Sequence, residues 1–164
     1  MSEQMTATEL YERDGLAWSE RQAALLRKMM AGERPNETPD WPNIVEEIEA
    51  MGRSELRQVE SLLLQAMIHL LKLRAWPASG SNAEWTEKAD GFLDDAERAF
   101  TPSMRQRIDV ADLYEDALRN TRLRADESGS PRQLPNTSPF ALDDLLAKPP
   151  DVDALVAKLA AATP

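Results

Sequence analysis

Residues 41–76, WPNIVEEIEAMGRSELRQVESLLLQAMIHLLKLRAW, hold the longest apolar run of the chain and its only histidine. Wound at about 100° per residue, Ile44, Ile48, Met51, Val59, Leu62, Ala66, Leu70 and Leu73 fall in one sector, the expected core face. From Leu62 onward, Leu63, Leu64, Met67, Ile68 and Leu71 extend apolarity almost all the way round. A helix of that kind is stable only when neighbours surround it. The other segments must therefore supply the cover.

They are suited to do so as helices. Ala, Leu, Glu and Arg are plentiful, β-branched residues are sparse and aromatics make up 5%. Thr6 and Glu9 form a capping box that opens a first helix, with a stripe from Leu10 to Met29, Gly15 inside it and a glycine stop at Gly32. Asp40 is the expected N-cap of the central helix, with Pro42 in its first turn. Ser81 with Glu84 suggests a second capping box, and Thr101-Pro102 a fourth helix running to Thr121 with a bend near Asp109 and a stop at residues 127–131. Ser138-Pro139 opens a short helix to about Lys148, and Pro149-Pro150 breaks it. The remainder is either an Asp-capped turn or two or a frayed end. The fold class is all-α: a single-domain helical bundle of about four main helices around a central buried helix, plus short C-terminal helices. The domain is expected over 1–148, with 149–164 as a tail.

The formal charge of −10 repels phosphate backbones and anionic membranes, so neither direct nucleic-acid binding nor a membrane role is expected. No apolar run approaches the roughly 20 residues needed to cross a bilayer. With no cysteine, a disulfide framework and thiolate metal sites are excluded, which fits the cytoplasm. No phosphate loop, nucleophile elbow or zinc spacing occurs. No cofactor and no metal are expected.

Three polar features stand out. Glu47, Ser54, Gln58, Ser61, Gln65, His69 and Lys72 form one line along the central helix, either its wet edge or the wall of a groove. Glu55 projects into the apolar sector and calls for a partner, with Arg21, Arg53 and Arg57 as candidates. Gly52 beside it suggests a close approach or a bend. His69 has Gln65, Ala66, Lys72 and Leu73 as helical neighbours, a poor metal set, and reads as a hydrogen-bonded interior histidine. Asp14, beside Tyr11 and four residues before Trp18, could pair with His69 or an arginine across an interface.

Several of these residues carry a resemblance. Tyr11-Glu12-x-Asp14-x-x-x-Trp18, Gln22-Ala23-Ala24-Leu25-Leu26, Asp40-Trp41, EEIEAMGRSE at 46–55 and His69-Leu70-Leu71-Lys72 are similar to the bacterial domain-of-unknown-function family 29 over about residues 8–146. The resemblance implies an all-helical bundle of unassigned activity. It marks Asp14, Trp18, Glu47, Arg53, Glu55, His69 and Lys72 as shared positions; the Cys-Pro-aromatic and Gln-Arg pair often seen in members are absent here.

The functional expectation is a non-enzymatic protein-interaction or regulatory module with an unidentified protein partner. A homo-oligomer is left open. The alternatives are a small-molecule- or metal-dependent enzyme with a pocket at Asp14, Glu55 and His69, and an acidic antagonist of a basic toxin or nucleic-acid-binding protein. The functional seam expected for any of these comprises Asp14, Trp18, Glu47, Arg53, Glu55, Gln65, His69 and Lys72.

Overall fold

A computed structural model describes residues 6–123 and 130–163, in which the regular elements are all helical. The chain divides into two compact units, Met1–Arg53 and Ser54–Pro164. One helix, α3 (Trp41–Ala75), contributes residues to both.

In the first unit the expected capping box opens α1 (Ala7–Arg13): Thr6 Oγ1 accepts from the Glu9 amide at 3.2 Å, and Glu9 Oε2 accepts from the Thr6 amide at 2.9 Å. The single first helix read from the sequence is broken at Asp14, whose φ of −149° and ψ of 82° leave the helical region. Its carboxylate accepts from the Ala17 amide at 3.0 Å, so the residue that closes α1 also caps α2 (Gly15–Met30). Gly15 is thus the first residue of a helix and not an interior one. At the far end Gly32 adopts a φ of +81°, and the Glu33 amide reaches the Lys28 carbonyl at 3.0 Å, a Schellman closure.

The second unit contains the rest of α3, then α4 (Asn82–Ala99), a 3₁₀ turn (Pro102–Met104), α5 (Val110–Leu123), α6 (Leu142–Leu145) and α7 (Val152–Ala161). Residues 66–71 of α3 are buried without interruption, as the all-round apolar pattern predicts. Around them lie Ala89 and Leu93 of α4, Tyr114 and Leu118 of α5, Leu145 of α6, and Leu155 and Leu159 of α7.

Local signals were partly overridden here. Ser81 makes no side-chain cap, because Glu84 pairs with Lys88 at 2.6 Å instead of folding back. The helix expected from Thr101 is only a 3₁₀ turn; Asp109 accepts from the amides of Ala111 and Asp112 at 3.0 and 3.1 Å and starts α5, turning the bend into a break. Its expected stop begins at residues 127–129, outside the described residues. The helix expected from Ser138 shortens to α6, since Ser138 Oγ takes the Phe140 amide at 3.2 Å in a tight turn. Asp151 caps α7, accepting from Ala154, and Val152, Leu155 and Leu159 are buried.

The expected core face of α3 is realised only in part. Val59, Ala66 and Leu70 are fully buried, whereas Ile48 and Met51 are each 62% exposed, and Val45 and Trp41 are 52% and 46% exposed. Glu55, expected to need a buried partner, is exposed, and a Cβ at Gly52 would meet nothing within 4 Å. The helical projection was sound; what failed was the assumption that a stripe is covered along its whole length. Leu63→Ala is accordingly expected to cost about 2–5 kcal/mol, and Ile48→Ala no more than about 0.5 kcal/mol, in urea unfolding. Equal losses would mean that Ile48 is packed.

Candidate functional site

The start of α3 is held by a polar brace built from the first unit's motif residues. α1 packs on α2, and the rings of Tyr11 and Trp18 meet edge to face at 4.9 Å. The buried Trp18 donates from Nε1 to Asp40 Oδ2 at 3.2 Å, and Asn43 Nδ2 donates to the same oxygen at 2.8 Å. The Asp40 amide donates to Gln22 Oε1 at 2.9 Å, and the Asp40 carbonyl accepts from the Ile44 amide, also at 2.9 Å. Asp40 therefore opens α3 from the expected place, but its carboxylate binds side chains rather than helix amides. One turn further on, Tyr11 Oη donates to Glu47 Oε1 at 2.7 Å, a bond that raises the Tyr11 pKa by holding its proton against a carboxylate. Arg53 bridges Glu46 at 2.6 Å and Glu49 at 3.5 Å, and Arg21 pairs with Glu37 at 2.6 Å.

This brace leaves another side of α3 open. Trp41, Val45 and Ile48 stand at i, i+4 and i+7, the spacing of one helix face, and all three are exposed. Next to Trp41 a shallow cavity of ≈ 450 Å³ is lined by Met29, Gly32, Glu33, Arg34, Pro35 and Glu37 among others. Of these three, periodicity pointed only to Ile48 beforehand, and it assigned it to the core.

The polar line read on α3 changes character along its length. Glu47, Ser54, Gln58 and Ser61 are exposed, Gln65 and Lys72 are half-buried, and His69 is buried. His69 Nδ1 lies 2.7 Å from the Gln65 carbonyl; since a carbonyl only accepts, Nδ1 carries the proton. The ring tilts against Phe92 at 5.6 Å, and Lys72 Nζ sits 5.6 Å from the Trp85 ring centre. His69 is thus the hydrogen-bonded interior histidine that the sequence suggested. Burial pushes its pKa below 6.5, and Lys72 and Lys88 add to the effect, against the Gln65 carbonyl and Glu84, which favour the charged ring.

Each residue of the expected Asp14, Glu55 and His69 pocket has a local setting of its own. Asp14 caps α2, Glu55 is exposed, and His69 lies 14 residues beyond Glu55 on the same helix, roughly 21 Å along its axis. No group of three or more His, Cys, Asp or Glu side chains that could hold a metal occurs among the described residues. No helix among the described residues is long and apolar enough to cross a membrane.

An all-helical fold in which the motif residues Tyr11, Trp18, Asp40 and Glu47 meet in one brace defines a class of helical proteins. The chain belongs to the family described as domain of unknown function DUF29, whose model matches residues 10–149. It is similar to a solved α-helical protein of unknown function from Rhodospirillum rubrum ATCC 11170, with 30% identity and a TM-score of 0.70, covering 96% of this chain and 99% of that one. No curated protein matches the chain.

A folded-state histidine pKa below the unfolded value means that the native state resists a proton the unfolded chain accepts. His69 therefore leaves stability intact above pH 6.5 and lowers it as pH falls through 6.5 and below. The melting temperature is expected to drop between pH 7.5 and 5.5, and His69→Gln should flatten the drop. An unchanged slope in the variant would assign the pH dependence to other groups.

Proposed function

We propose that this protein is a non-enzymatic interaction module of the bacterial cytoplasm, and that the open face of α3 at Trp41, Val45 and Ile48 docks a basic amphipathic helix of a partner protein. The observation that carries this reading is a helix whose start is held by a polar brace while Trp41, Val45 and Ile48 there remain exposed to water. Such side chains at i, i+4 and i+7 are the usual anchors of helix-to-helix recognition, and clustered exposed apolar groups otherwise carry a solubility cost.

Charge selects the partner. Glu46 and Glu49 are exposed on α3 within the same turns as Val45 and Ile48, Glu33 lines the cavity beside Trp41, and the whole chain carries −10. This field attracts a basic helix and disfavours a second copy of the same acidic face. Occupying the basic helix of a toxin or nucleic-acid-binding protein would make the module an antagonist. Tyr11, Trp18, Asp40 and Glu47 then serve to hold the docking helix rather than to perform chemistry.

The test is titration with a leucine-lysine amphipathic helical peptide and its leucine-glutamate counterpart, followed by calorimetry, with native mass measured in parallel. Saturable binding of the basic peptide alone is expected, weakened at least tenfold by the charge-neutral double change Val45→Asn, Ile48→Asn. Undiminished binding by that variant would remove the stripe from the interface. Self-association abolished by the same double change would replace the foreign helix with a second copy.

A further inference from the structure

The second unit contains a cavity of ≈ 300 Å³ where the end of α3, the end of α5 and the segment after Ser130 come together. Its wall includes Ala75, Trp76, Arg122, Arg132, Leu134 and Asn136. In a chain with 29 acidic residues, the charged side chains on this wall among the described residues are the two arginines. Neither makes an ion pair among the described residues. We propose that this cavity is a binding site for a small molecule that joins a carboxylate or phosphate monoester to a flat apolar body.

Three features argue for a built site. The segment that forms one wall is pinned before any ligand arrives: the Arg132 amide donates to the Ala75 carbonyl at 2.8 Å, and the buried Tyr114 donates from Oη to the Pro135 carbonyl at 2.8 Å. The first bond also occupies a carbonyl at the C-terminal end of α3, which would otherwise face an anion with like partial charge. Arg122 Nη2 donates to Asn136 Oδ1 at 3.1 Å, which orients its guanidinium through a neutral partner. Walls fixed in advance spare a ligand the cost of ordering them.

The wall also states what the ligand looks like. Guanidinium forks match the paired oxygens of carboxylate and phosphate. Trp76 and Leu134 supply apolar surface, and a pocket of mixed apolar wall and few convergent donors is the usual form of a small-molecule site. Thr121 adds little recognition, because its hydroxyl already donates to the Ala117 carbonyl at 2.9 Å.

The full chain would be titrated with phenyl phosphate, benzoate, benzyl alcohol and inorganic phosphate, monitored by tryptophan fluorescence and by arginine side-chain NMR signals. Saturable binding of phenyl phosphate or benzoate is expected, with benzyl alcohol and inorganic phosphate each at least tenfold weaker. Arg132→Gln should weaken the anion at least tenfold at an unchanged melting temperature, since this guanidinium supports no packing bond. Arg132→Lys, which keeps the charge and loses the fork, should recover only part of the affinity. No saturation by either aromatic anion, or wild-type affinity in Arg132→Gln, would overturn the site. Equal binding of inorganic and phenyl phosphate would overturn the apolar body.

Discussion

Residues 66–71 of α3 are buried on every side, so within that stretch the helix has no face left for water. A helix satisfies its own backbone, which is why it can be enclosed in this way. Its side chains then require apolar neighbours around the full circumference, and the second unit is arranged to provide them. α4 and α5 both supply small and large residues to one core, Ala89, Leu93 and Ala96 from α4 and Tyr114, Ala117 and Leu118 from α5. The short helices α6 and α7 complete it with Leu145, Leu155 and Leu159. The one polar side chain inside that buried run, His69, is tolerated because its Nδ1 proton finds a carbonyl one turn back on the same helix.

The first unit reaches order by a different route. With Trp18 and Leu25 the buried large apolar side chains among its described residues, it has little core there, and directed hydrogen bonds do the positioning. Each such bond contributes only about 1 kcal/mol net, but Trp18, Asn43, Gln22 and Asp40 share partners and so restrain one another. The arrangement has a local cost: Gln22 Nε2 is buried without a partner among the described residues. A unit held by polar contacts at one side of a helix can leave the other side uncovered, and that is where Trp41, Val45 and Ile48 are found.

Electrostatics separates the two surfaces that these arrangements create. On α3 exposed carboxylates accompany apolar anchors, which suits a cationic macromolecule. At the cavity lined by Trp76 the charged side chains among the described residues are two arginines, which suits a small anion. Neither arrangement follows from net charge, because the sign of a local field depends on which side chains the fold gathers within a few ångströms of one another.

What the sequence determined by itself was local and periodic. The extent of α3, its all-round burial over residues 66–71, the interior role of His69, the capping box at Thr6 and the glycine closure at Gly32 all depend on residues within a few turns, and all are present. Composition likewise sufficed for the all-α class. Tertiary structure decided what covers what. The same stripe continues from Ile48 to Val59 without a change in its period, yet one end is open and the other enclosed, because periodicity records which side chains share a face and not whether a neighbour reaches it. Glu55 is exposed for that reason, Asp14 became a cap between two helices because its carboxylate had a nearer amide than any distant cation, and Arg122 and Arg132 met at one cavity only because the chain returned to the end of α3.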